Sequence, residues 1–157
     1  MKHTKVNDLK KQIYELKNTE VRVGYFPESK RTDGKPNAYI ASIHESGSPT
    51  NNIPPRPTLG PALQNNKDEF SQIIANSFRN GTIKDGFEMI GKLAVAKVKN
   101  EIKETTRPVL KTATVRARLR GKKQKKSVSL TVAKPLVHTG QMLASVMYKV
   151  ITKDQIE

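Results

Sequence analysis

Arg116, Arg118, Arg120, Lys122, Lys123, Lys125 and Lys126 stand within one short stretch, and the chemistry open to so many cations is the neutralisation of an anion. The span from Thr105 to Lys153 carries twelve Lys or Arg and no acidic residue. Residues 105–157 hold twelve basic groups against two acidic ones, and so supply +10 of the formal net charge of +15. A Lys or Arg that neutralises a phosphate releases counterions and adds affinity without reading sequence. Base readout would need Asn, Gln or Arg at base edges, or aromatic rings to stack on. The tip of this stretch offers Lys and one Gln, and no aromatic lies between 105 and 147. A nucleic acid would be held nonspecifically and released by salt. An acidic protein surface suits the same charges, and a solvated, solubilising hairpin is the blander reading.

Catalytic and metal chemistry find little to work with. The chain has His3, His44 and His138, and none has a second His or a carboxylate at metal-ligand spacing. His44 and Glu45 are the best pair, but neighbours on a helix point about 100° apart and do not face each other. They read as a surface His beside a solvated Glu. Cysteine is absent, which excludes structural disulfides and thiolate zinc sites. Gly121-Lys122-Lys123 lacks the flanking glycines and the Ser/Thr of a phosphate-cradling loop. The expectation is a protein that is not an enzyme and carries no cofactor or metal. No apolar run is long enough for a signal peptide or a membrane span, so a soluble protein made in a cytoplasm is expected, with no membrane partner.

The elements that must position these residues follow from periodicity. Val6, Leu9, Ile13 and Leu16 give a helix over 5–18, and the alternation of Glu20–Phe26 gives a strand ending at Pro27. Asp33-Gly34 marks a turn. Ala38–Ser46 reads as a short helix, with Asn37 as N-cap and Gly47 just past its end. Residues 48–58 contain four prolines and form a rigid extended strap. Leu59–Asn80 reads as one helix ended by Asn80-Gly81. Thr82 caps the next, whose apolar row is Ile83, Phe87, Ile90, Ala94, Val98 and Ile102. Gly86 and Gly91 inside that helix each weaken it by roughly 1 kcal/mol, and close packing against a neighbour is the reason to expect them. After Pro108 the period becomes two. Val115, Ala117 and Leu119, then Val128, Leu130 and Val132, read as two strands around a basic tip. Thr139-Gly140 opens a short helix, and Val146–Thr152 is a last strand. The first and last strands are natural partners.

The fold class expected is therefore α+β, a single domain over 1–157. A small antiparallel sheet is packed by two long helices, and residues 111–133 project as a basic β-hairpin arm. Apolar residues make up 35% of the chain and Trp is absent, a lean core for a subunit completed by neighbours.

The order of short motifs resembles a family. Ala41…Glu45…Gly47 matches an "A-x-x-x-E-x-G" helix, and Ile53-Pro54-Pro55-Arg56-Pro57 matches an "I-P-x-R-P-F" strap. Pro135-Leu136-Val137-His138-Thr139-Gly140, followed by Met142-Leu143-Ala144-Ser145-Val146, matches a late "P-L-x-x-T-G-x-L-x-x-S-I" segment. Over roughly 20–152 the chain resembles the tailed-bacteriophage virion-morphogenesis family of tail-completion and head–tail joining neck proteins. Thr58 departs from the large apolar residue usual there, and the stretch before Thr139 is longer than the family's usually helical one.

What the resemblance implies is a structural protein of the virion neck, assembled in the host bacterial cytoplasm. It would form a homo-oligomeric ring, a hexamer or dodecamer, joining the head connector to the tail around the DNA channel. Its neighbours would be connector, stopper, tail-terminator or tube proteins. The basic arm would touch genomic double-stranded DNA nonspecifically or clamp an adjacent ring. The strap Ile53, Pro54, Pro55, Arg56 and Pro57 would lie at a subunit interface. There Arg56, presented outward from a stiff backbone, would pair with a neighbour's carboxylate; a local ion pair is the competing role. The alternative function is a nonspecific nucleic-acid-binding protein that uses the basic hairpin.

Overall fold

The computed structural model describes residues 2–29, 34–119, 134–137 and 140–153. The chain is α+β, with a two-stranded antiparallel sheet packed against long helices. The elements are α1 (Lys2–Asn18), β1 (Thr19–Tyr25), α2 (Asn37–Ser46), α3 (Leu59–Gln64), α4 (Lys67–Asn80), α5 (Ile83–Glu104), α6 (Thr112–Leu119), α7 (Gln141–Ser145) and β2 (Val146–Thr152). A 3₁₀ turn, Pro49–Asn51, opens the strap.

The first and last strands pair as expected, from Thr19 opposite Thr152 to Tyr25 opposite Val146. Side chains alternate across a strand, so Val21, Val23 and Tyr25 share a face with Val150, Tyr148 and Val146. That apolar face lies against α5. Two strands alone are marginal in water, and the helix supplies the missing layer. On the outer face Arg22 pairs with Glu20 at 2.6 Å, while Lys149 reaches Glu28 at 2.8 Å and sits 4.6 Å from the centre of the Phe26 ring.

α5 is the spine because its apolar row runs along the interior: Ile83, Phe87, Ala94, Val98 and Ile102 are buried, and Ile90 is half-buried. Ile83, Val98 and Ile102 are fully buried. Its glycines are contact points, as their positions suggested. A side chain at Gly86 would collide with Ser77 of α4, and one at Gly91 would occupy the ring of Tyr148. α4 joins α5 through Gly81, in the left-handed conformation (φ 71°), with Thr82 N–H donating to Ser77 O at 2.8 Å.

Several local readings are corrected. Leu59–Asn80 is two helices, because Asn66 Nδ2 donates back to the Ala62 carbonyl at 2.8 Å and interrupts the run. Asn37 does not cap α2: it is the first helical residue, is buried, and donates from Nδ2 to Ser29 Oγ at 2.7 Å. Thr82 holds the N-cap position of α5 without a side-chain hydrogen bond there. The first half of the expected hairpin is a helix: Thr112–Leu119 coils, with Thr114 and Val115 N–H both donating to Lys111 O. Three alternating apolar residues are a short signal, and Ala, Arg and Leu are good helix formers. The rest of the expected arm, with Arg120, Lys122, Lys123, Lys125 and Lys126, lies outside the described residues, as do Asp33 and Thr139.

Candidate functional site

The strap is built onto the end of α2. Gly47 leaves the helix at φ 77°, and a Cβ there would lie 2.9 Å from both Ile53 O and Pro55 N. Only glycine allows the chain to fold back this closely. Ser48 and Ile53 then exchange backbone hydrogen bonds at 2.8 and 3.0 Å, so residues 48–53 form a small closed loop rather than an extended run. Arg56 N–H donates to His44 O at 2.6 Å and ties the second half of the strap to α2.

Glu45 completes this attachment. Its carboxylate accepts from Thr58 N–H (2.8 Å) and Leu59 N–H (3.2 Å) on Oε2, and from Gly60 N–H (2.9 Å) on Oε1. These amides open α3, where a helix leaves N–H groups unpaired and its dipole favours a negative charge. Glu45 is thus the cap of α3, supplied from a different helix, and not a solvated neighbour of His44. Its partners are backbone amides, which leave no side-chain signature. The readable signal was a carboxylate placed before a strap that leads into a helix.

Arg56 turns inward. It is only 6% exposed, and Nε donates to Pro108 O at 3.0 Å. The outward presentation expected of it is therefore corrected: the side chain crosses to the loop after α5 and takes no carboxylate among the described residues. Burial, and then the nearby Arg118 guanidinium, pull its pKa below the usual arginine value. Arg118 has the same inward character. From α6 it donates through Nη1 to Lys134 O (2.8 Å) and through Nη2 to Pro135 O (3.0 Å), and burial lowers its pKa. Lys134 Nζ donates in turn to Lys103 O. Two of the expected site arginines thus act as clips between segments, whereas Arg116 remains exposed. Within the strap, Pro55 and Pro57 are exposed, Ile53 and Pro54 are half-buried, and Thr58 is buried.

The segments joined by these clips share one core. Ala41 of α2, Ala62 of α3, Val98 and Ile102 of α5, Leu136, Met142 of α7 and Val146 of β2 form one buried cluster. A groove of about 400 Å³ opens beside it, lined by Gly24, Tyr25, Ala38, Ala41, Glu45 and Leu59 among others. Burial, and then the Glu45 carboxylate, hold the Tyr25 phenol above its usual pKa. The groove presents one carboxylate already saturated by backbone and one protonated phenol. Among the described residues no three His, Asp or Glu gather in a way that could hold a metal ion, and no helix is long and apolar enough to cross a membrane. No protein-family model, no curated protein and no solved structure matches the chain.

Proposed function

We propose that this chain is a non-enzymatic structural subunit of a tailed-phage neck. It assembles into a ring that joins the head connector to the tail, and its basic segment faces the DNA path or an acidic neighbour. The observation that carries the reading is the convergence of the motif segments. The Glu45 carboxylate of the first motif caps the helix that follows the strap, and Ala41, Leu136 and Met142 meet in the same buried cluster. Residues far apart in sequence that share a lock and a core form one structural unit, as segments of a family signature should.

Two further features support it. The stretch before the late Thr-Gly is helical at Thr112–Leu119, as that stretch usually is in the family. The sheet has only two strands, so each strand keeps one edge without a strand partner among the described residues, and such edges are where another chain adds on. Strap contacts to a neighbour would come from the exposed Pro55 and Pro57, with Arg56 setting the strap's shape from behind.

The test is negative-stain electron microscopy of the purified protein after nuclease treatment, alone and with head–tail joining partners. Closed rings that survive nuclease and bind those partners are the expected result. A monomer with tight, steeply salt-dependent DNA binding and no ring under either condition would replace the proposal with a plain nucleic-acid-binding role.

A further inference from the structure

α1 carries its apolar residues on the outside. Val6, Leu9, Ile13 and Leu16 are 50, 47, 43 and 38% exposed. The side of the helix facing the body is polar: Asp8, Lys11, Gln12 and Glu15 line a cleft of about 520 Å³ against Gly81–Asp85 at the α4–α5 turn. An amphipathic helix ordinarily buries its apolar stripe; here that stripe is open, and the side turned to the body is the polar one, with Asp8 and Lys11 exposed and Gln12 and Glu15 half-buried.

The spacing of the stripe is specific. Steps of three, four and three place Val6 and Ile13 at one heptad position and Leu9 and Leu16 at the other, the β-branched and γ-branched alternation of a two-helix seam. The residues flanking such a seam set partner choice. Lys5 and Gln12 flank one side, Lys10 and Lys17 the other, and all three lysines are exposed.

Those flanks select the occupant. A second copy of α1 in parallel would set Lys5 against Lys10, and in antiparallel the Lys10–Lys17 edge would face itself. Like charges so placed are unfavourable. A lipid surface wants a broad apolar face with large aromatic anchors, whereas this seam is two residues in seven and has Asp8 and Glu15 on the same helix.

We propose that α1 is a docking helix for an amphipathic helix of a different protein, one with an apolar heptad seam flanked by Glu or Asp. This reading is independent of the function proposed above.

The test uses the full-length chain and two fluorescein-labelled synthetic peptides of three heptads. Both carry Ile and Leu on the seam, and one has Glu at all flanking positions where the other has Lys. Fluorescence anisotropy should show binding of the Glu peptide and roughly tenfold or weaker binding of the Lys peptide. Ile13→Ser should weaken the Glu peptide by roughly tenfold or more, from the apolar area lost. Ile13 and the three flanking lysines are all exposed, and circular dichroism checks that the variants fold. The triple reversal Lys5→Glu, Lys10→Glu, Lys17→Glu should exchange the preference and select the Lys peptide.

Several results would overturn the proposal. These are failure of the Glu peptide to bind, equal binding by the Ile13→Ser chain, or an unchanged preference after charge reversal. Self-association in sedimentation equilibrium that Ile13→Ser abolishes would make a second copy the occupant. Binding to phosphatidylglycerol vesicles that depends on Ile13 would make it a lipid surface.

Discussion

Tyr148 lays its ring over Gly91, so closely that a single methyl group at position 91 would overlap the ring carbons. The contact joins β2 to the middle of α5 and sets the distance between sheet and helix. Gly91→Ala gains helix propensity of up to about 1 kcal/mol but forces the ring away at a typical overpacking cost of about 1–3 kcal/mol. We expect a net loss of stability in urea denaturation. Gly91→Ala combined with Tyr148→Ala should recover part of it. If the double variant is as unstable as the sum of the singles, the clash does not set the spacing.

The same tyrosine donates from its hydroxyl to Glu88 Oε2 at 2.7 Å. The hydrogen bond to the carboxylate, then burial, raise the Tyr148 pKa above the usual phenol value. A phenol whose folded pKa is raised contributes stability that is present below its unfolded pKa. That contribution is lost as pH rises through the folded one. Glu88→Gln should therefore bring one tyrosine down toward ordinary behaviour in an ultraviolet alkaline titration. The onset of alkaline destabilisation should move with it. An unchanged titration curve would mean that the hydrogen bond is not made in solution.

Glu45→Ala removes the acceptor for three backbone amides at once, and we expect a stability loss of about 1–3 kcal/mol by urea denaturation. Glu45→Gln keeps one acceptor oxygen and should lose less. Neither should be rescued by changes at His44, because the carboxylate works on α3.

Gly47→Ala tests the attachment of the strap. The positive φ and the two backbone atoms 2.9 Å from the added methyl together predict a loss of about 1–3 kcal/mol. Proteolysis should then cut the chain faster between 48 and 58. Unchanged cleavage with unchanged stability would mean that the strap tolerates another path.

The two arginines of α6 should separate cleanly. Arg118→Ala removes hydrogen bonds to Lys134 and Pro135 carbonyls and should cost about 1–3 kcal/mol. Arg116→Ala, at an exposed site, should leave the thermal midpoint within about a degree or two. Equal effects would mean that the clip is not a structural one. Arg56→Ala belongs with Arg118→Ala, because its Nε holds Pro108.

How far the residues announced this arrangement depends on whether their partners were local. The apolar row of α5 and the alternation of both strands are short-range patterns, and they led to the elements and to their pairing. The break in the long helix at Asn65 and Asn66 came from a side chain competing with its own backbone, a signal easily swamped by the flanking leucines and isoleucines. The roles of Glu45, Arg56 and Arg118 were hidden for a shared reason. Each pairs with backbone groups of a distant segment, and backbone groups are the same at every position. Charge alone suggested that Arg118 faced outward with Arg116, and only the helix and its distance from Lys134 separate the two.

The pairing of β1 with β2 also has a consequence for synthesis. A ribosome releases β1 early, yet its partner strand emerges only after α5 and the basic stretch have been made. Pairing Tyr25 with Val146 closes a loop that is most of the chain, a slow and entropically costly step. α4 and α5 are neighbours and can pack while translation continues. On this order of events the nascent chain holds β1 without its partner strand until residues 146–152 arrive. A chain cut short before them keeps β1 permanently without its mate, so interrupted products are excluded from any assembly that needs the finished sheet.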